Sequence, residues 1–192
     1  SEVNSFKLTL ANGLVVSSAS LKGDSNQIIT ETSGDVQVVL ILDTSASMSE
    51  GTKLEKAKSA AINMVENLLN LGGNTEIALV SFASDAQIIN NLTNSKEVLF
   101  SSINNLVSSG GTDMSPALDL ASDILNDGQR NHEASNNKEN DLYQYCVILT
   151  DGATIEPQNC FNKLKNIESN NIGIYSVLLE CTSKSAFEQN NE

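Results

Sequence analysis

Three short segments concentrate oxygen-bearing side chains in a pattern that could do chemistry. Asp43-Thr44-Ser45-Ala46-Ser47-Met48, Gly110-Gly111-Thr112 and Thr150-Asp151-Gly152 together offer the carboxylates of Asp43 and Asp151 and the hydroxyls of Ser45, Ser47 and Thr112. The set contains no imidazole and no thiolate, so it suits a hard cation such as Mg²⁺. Alternate residues of an Asp-x-Ser-x-Ser loop can turn their oxygens toward one point. Glycines before Thr112 let that segment approach closely. Singly, each segment also reads as ordinary loop chemistry, and Ser45 or Ser47 could simply cap a helix starting near Lys53. All three at matching strand ends argue for a site.

The elements that must position these residues follow from hydrophobic patterning. Val36–Leu42, Ile77–Phe82, Tyr143–Thr150 and Ile172–Leu179 are apolar, β-branched-rich runs, as expected for strands buried on both faces. Helical spacing marks Lys53–Leu71 up to a stop at Gly72-Gly73, then Ser95–Leu106 with Val98, Leu99 and Ile103 inward. It marks Pro116–Leu125 and Gln158–Ser169 as well, the latter with Phe161, Leu164 and Ile167 inward. Gln87–Ile89 reads as a short edge strand, and the polar stretch Asn126–Asp141 as a surface insertion at the end of the sheet away from the site, with His132 solvated. Alternating strands and helices predict an α/β fold: an open, mostly parallel twisted sheet with helices on both faces. In such sheets ligands bind at the carboxyl ends of the strands, where Asp43, Thr112 and Asp151 fall. Residues 1–33 differ. Alternation at Phe6, Leu8 and Leu10, then Asn12-Gly13 before Leu14-Val15-Val16, predicts a hairpin in a β extension or the end of a neighbouring domain.

Composition narrows the partners. Eleven Lys+Arg against 24 Asp+Glu give a formal charge of −13, which disfavours nucleic acid and anionic membrane surfaces. No apolar run reaches the roughly 18 to 20 residues that span a bilayer, so direct membrane insertion is not expected. The chain opens at Ser1 without a signal-like segment and reads as a mature or excised fragment. Three Cys are too few for a disulfide scaffold; Cys146 reads as a buried thiol, and Cys160 and Cys181 could pair only if the fold brings them together. No Ser-His-Asp or Cys-His arrangement surrounds the single His132, so an enzyme is not expected. An Mg²⁺-dependent phosphatase of the haloacid dehalogenase type needs a second acid two residues after the strand-end Asp, where this chain has Ser45.

VVLILDTSASM, SSGGTDMSPAL and VILTDGAT together resemble the von Willebrand factor type A (VWA) domain with its metal-ion-dependent adhesion site, over Asp35 to about Cys181. The resemblance implies a VWA domain over residues 34–192. It implies Ser45, Ser47 and Thr112 as hydroxyl ligands, with Asp43 and Asp151 holding the metal directly or through water. The cofactor implied is Mg²⁺, with Mn²⁺ or Ca²⁺ able to take its place. The partner implied is a protein presenting an exposed Glu or Asp to the vacant coordination position, and the setting is adhesive, extracellular or at the cell surface. The alternative is a VWA subunit of an intracellular, cytoplasmic assembly. Specificity would come from a rim of Met48, Ser49, Glu50, Asp113, Met114 and the Ala153–Gln158 loop with Glu156. The two methionines are equally readable as core. The implied topology brings Cys160 and Cys181 toward the same rim, where a disulfide would favour an extracellular setting. Two departures stand out: Ala46 replaces a frequent Gly, and the chain leaves no room for the family's last strand and C-terminal helix.

Overall fold

A computed structural model describes residues 6–9, 15–18, 34–71, 74–135, 139–152, 154 and 157–179. Asn12-Gly13, Gly72-Gly73, Glu156 and Cys181 lie outside the described residues. Strands β1 (Phe6–Thr9) and β2 (Val15–Ser18) pair antiparallel, Phe6 opposite Ser18, as a two-stranded sheet of their own. The main sheet holds β3 (Asp35–Asp43), β4 (Thr75–Phe82), β5 (Ala86–Thr93), β6 (Leu142–Thr150) and β7 (Gly173–Leu178), in the order β5-β4-β3-β6-β7. Neighbours run parallel except β5, which is antiparallel to β4. This is the mixed, mostly parallel sheet with helices on both faces that the patterning predicts.

Every residue of β3 is buried, because it is the central strand and both its faces are covered. Its side chains alternate between two cores. Val36, Val38, Leu40 and Leu42 pack with Ala57, Ala61, Met64, Val65 and Leu68 of α1 (Lys53–Leu69) and with Leu99 and Ile103 of α2 (Lys96–Asn104). Val39 and Ile41 pack with Ala117, Leu118, Ala121 and Leu125 of α3 (Ser115–Ala134) and with Cys160 and Ile167 of α4 (Pro157–Ser169). Two apolar layers thus clamp one strand whose carboxyl end carries Asp43.

The structure corrects the patterning in four places. Strand β5 spans eight residues, not three; as an edge strand it needs no continuous apolar run. Helix α3 does not stop at Leu125 but continues to Ala134, absorbing most of the expected insertion. Its polar second half is held by two buried glutamines: Gln144 Nε2 donates to the Leu125 carbonyl (2.7 Å) and to Gln37 Oε1 (2.9 Å), and Gln37 Nε2 donates to the Gly128 carbonyl (3.4 Å). His132 is not solvated. Its side chain is 9% exposed, with Nε2 3.2 Å from the Asp35 carboxylate, so the end of α3 lies against the start of β3. Finally, Val98 (45% exposed) and Phe161 (44%) face outward. Leu99 and Ile103 carry the inner stripe of α2, four residues apart. In α4 the inner stripe is Cys160, Leu164 and Ile167, leaving Phe161 beneath the Lys165 ammonium at 4.5 Å. Among the described residues no helix is long and apolar enough to cross a membrane.

Candidate metal centre

Strand order determines where a crevice opens. After β3 the chain passes through α1 on one face to reach β4; after β6 it passes through α4 on the other face to reach β7. β3 and β6 are therefore the adjacent parallel strands from which the chain departs in opposite directions, and a crevice opens beyond their carboxyl ends. Asp43 is the last residue of β3; Thr150 is the last of β6 and Asp151 follows it.

Asp43 is fully buried and both its oxygens are engaged. Oδ1 accepts the Ser45 amide at 2.8 Å, and Oδ2 accepts the Thr150 hydroxyl at 2.7 Å. Burial pushes the Asp43 carboxyl above the usual carboxylate range; the bonds from Ser45 and Thr150 oppose the shift, and the nearby Asp151 charge adds to it. After Asp43 the chain folds into a 3₁₀ turn at Ala46–Ser49. The turn sets Ser45 Oγ and Ser47 Oγ 3.1 Å apart, one fully buried and the other half-buried.

The second segment is laced to the first through the backbone. Ser109 N–H donates to the Thr44 carbonyl (2.8 Å), Ala46 N–H to the Gly110 carbonyl (3.1 Å), and Asp113 N–H to the Ala83 carbonyl (2.7 Å). These bonds flank the half-buried Thr112 on both sides. Gly110 has φ of 78°, and a Cβ there would sit 2.8 Å from Ser84 Oγ, which accepts the Gly111 amide at 2.7 Å. Only glycine fits without displacing that hydroxyl. The third segment turns at Gly152, φ 90°, whose N–H donates to Thr150 Oγ1 at 3.1 Å. Asp151 Oδ2 lies 3.2 Å from Lys53 Nζ, and the Asp151 side chain is 6% exposed.

The loop brings Asp43, Ser45 and Ser47 together; the Gly110–Thr112 segment is hydrogen-bonded to that loop, and Asp151 acts electrostatically on Asp43. The rim is smaller than the sequence suggests. Met48 and Met114 are fully buried, one in each apolar core, so neither is a surface contact. Ser49 and Glu50 are exposed, and Asp113 is half-buried with Oδ1 accepting the Ser115 amide at 3.0 Å. Cys160 is buried, which raises its thiol, with Sγ 3.7 Å from Thr154 Oγ1.

Patterning misses two participants. Thr150 looks like the end of an apolar strand, yet its hydroxyl holds Asp43 in place. Lys53 looks like a helix start, yet a cation in the first turn opposes the helix dipole, and that conflict was a readable signal. Among the described residues no group of three or more His, Cys, Asp or Glu is placed to hold a metal. The candidate set has two carboxylates, and its remaining donors are hydroxyls. By donor chemistry it fits a hard cation: oxygen only, with a buried carboxylate whose charge is undercompensated.

A family model described as the von Willebrand factor type A domain matches residues 38–153. No curated protein matches the chain. Among solved structures, the vWF domain of the type V pili tip protein Mfa5 from Porphyromonas gingivalis is 24% identical over 64% of this chain and 40% of that one, with a TM-score of 0.51. BatB from Bacteroides thetaiotaomicron is 22% identical over 74% of this chain and 66% of its own (TM-score 0.59). Manganese-loaded TRAP from Plasmodium vivax is 18% identical over 83% of this chain and 62% of its own (TM-score 0.62). The chain thus spans less than two thirds of the Mfa5, BatB and TRAP chains or about that share, and these likenesses establish the fold. With the family match covering more than half its length, the chain belongs to the von Willebrand factor type A family.

Proposed function

We propose that this domain is a non-catalytic, divalent-metal-dependent protein-binding module of the adhesion type. Asp43, Ser45, Ser47, Thr112 and Asp151 would hold Mg²⁺, or Mn²⁺ or Ca²⁺ in its place. When bound, the dication supplies a positive centre able to take a Glu or Asp carboxylate from a partner protein. The chain's own residues do the rest. Thr150 and the Ser45 amide orient Asp43, the 3₁₀ turn presents the two serine hydroxyls, and exposed Ser49 and Glu50 edge the approach. The single observation that supports this reading is the pairing of the Ser45 and Ser47 hydroxyls, 3.1 Å apart, just past the buried Asp43 at the carboxyl end of β3, beside β6 and its Thr150. The manganese-loaded relative supports a divalent cation, and the pili tip relative supports an extracellular or cell-surface setting.

The test is a pull-down from candidate partner extracts with Mg²⁺ or with EDTA, using wild type and Asp151→Ala. The reading expects capture only by wild type with Mg²⁺. Capture that survives both EDTA and Asp151→Ala would refute it.

A further inference from the structure

Resting on the metal-binding reading, we infer that Lys53 is a built-in counter-cation that competes with the metal for Asp151 and so sets the affinity of the site. Lys53 Nζ lies 3.2 Å from Asp151 Oδ2 and 3.1 Å from Glu50 Oε2. The first partner is enclosed and the second is open: the Lys53 side chain is 14% exposed, Asp151 6% and Glu50 71%. An exposed pair contributes little, whereas an enclosed one resists separation because a lone buried carboxylate is costly. The Asp151 contact therefore holds the ammonium here, and Glu50 steers it from the solvent side.

Two features make this more than a stray surface pair. Lys53 is the first residue of α1, where positive charge is disfavoured by the helix dipole, so its placement needs a compensating partner. The segments 43–52, 108–114 and 150–154 carry no Lys or Arg, which makes Lys53 the cation next in sequence to the donor set. A cation taking Asp151, directly or through water, must displace the ammonium or sit beside a like charge. Lys53 thereby stabilises the metal-free domain and weakens metal binding with the same contact.

The experiment is calorimetric titration of metal-free protein with Mg²⁺ and Mn²⁺, together with thermal unfolding in EDTA, for wild type, Lys53→Met, Lys53→Gln and Lys53→Arg. The methionine and glutamine variants should bind metal about tenfold more tightly, the size of one partly buried ionic contact. They should also unfold about 2–4 °C lower in EDTA. Lys53→Arg, which keeps the charge, should stay near wild type. A purely structural lysine would lower the melting temperature without tightening metal binding, so unchanged or weaker affinity beside measurable wild-type binding overturns the inference alone. Absence of Mg²⁺ and Mn²⁺ binding in every protein overturns the metal reading and the inference together.

Discussion

Thr150→Val tests the strut beneath the site without touching a proposed ligand. Valine keeps the shape of threonine and the β-branched fit to the end of β6 but removes one hydroxyl. That hydroxyl donates to Asp43 Oδ2 at 2.7 Å and accepts the Gly152 amide at 3.1 Å, and both Thr150 and Asp43 are fully buried. A hydrogen bond to a charged group contributes about 1.5–3 kcal/mol, and the Gly152 amide would also lose its acceptor. We expect a loss of about 2 kcal/mol in EDTA at pH 7. In a domain of this size that corresponds to a fall of about 4–8 °C in Tm. Urea denaturation should give the same loss with an unchanged m-value. The lost bond is one that lowers the Asp43 carboxyl, so its removal raises that carboxyl further. A proton there relieves the buried charge, so the deficit of Thr150→Val against wild type should narrow as pH falls from 7. A loss below about 0.5 kcal/mol, within the range of ordinary surface substitutions, would refute the claim that this hydroxyl holds Asp43.

Asp43→Asn should abolish metal binding yet raise the Tm of the metal-free domain: its amide oxygen keeps the Ser45 N–H, the Thr150 hydroxyl turns to accept from the new NH2, and the cost of the buried charge is gone. The sign follows from burial: the folded carboxyl is raised above its unfolded value, so it costs stability at neutral pH and ceases to do so as pH falls through the folded value. The advantage of the asparagine variant over wild type should therefore shrink on acidification, and a lower Tm than wild type at pH 7 in EDTA would contradict this account. Gly110→Ala places a Cβ 2.8 Å from Ser84 Oγ at a φ of 78°, at a cost of about 1–2 kcal/mol. It should weaken Mg²⁺ binding in titration, since the segment carrying Thr112 must shift; unchanged stability and affinity would show that the loop is not fitted to glycine.

Much of this was legible from residue types and spacing. The strand ends could be placed because β3, β4 and β6 each carry a long apolar run, and the donors because hydroxyls and carboxylates cluster at or just past the ends of those runs. What escaped depends on partners far along the chain. The second half of α3 looks like a surface loop until Gln37, 91 residues from Gly128, is seen to meet it. His132 looks solvated until Asp35 is brought beside it by the sheet. Met48 and Met114 sit in polar motif segments, and local composition cannot tell that each plugs an apolar layer. The partner of Lys53 was hidden for the same reason: a cation in the first turn of a helix signals a need for a counter-charge, but nothing nearby in sequence names Asp151, 98 residues away.

The charge balance sets a condition on the proposed recognition of an acidic partner. A domain carrying −13 repels an acidic partner at long range, but screening removes most of that beyond about 8 Å at physiological ionic strength. What remains is the local field at the crevice, where the donor segments supply carboxylates and no basic side chain. Lys53 does not reverse that field, because its ammonium is committed to Asp151 and Glu50. Capture of a partner's Glu or Asp at this rim therefore requires positive charge from outside the chain. A dication held among Asp43, Ser45, Ser47, Thr112 and Asp151 is the charge for which the oxygen-only donor set is suited. The buried, undercompensated Asp43 is costly in the metal-free fold for the reason that would make it useful in the proposed metal-loaded one.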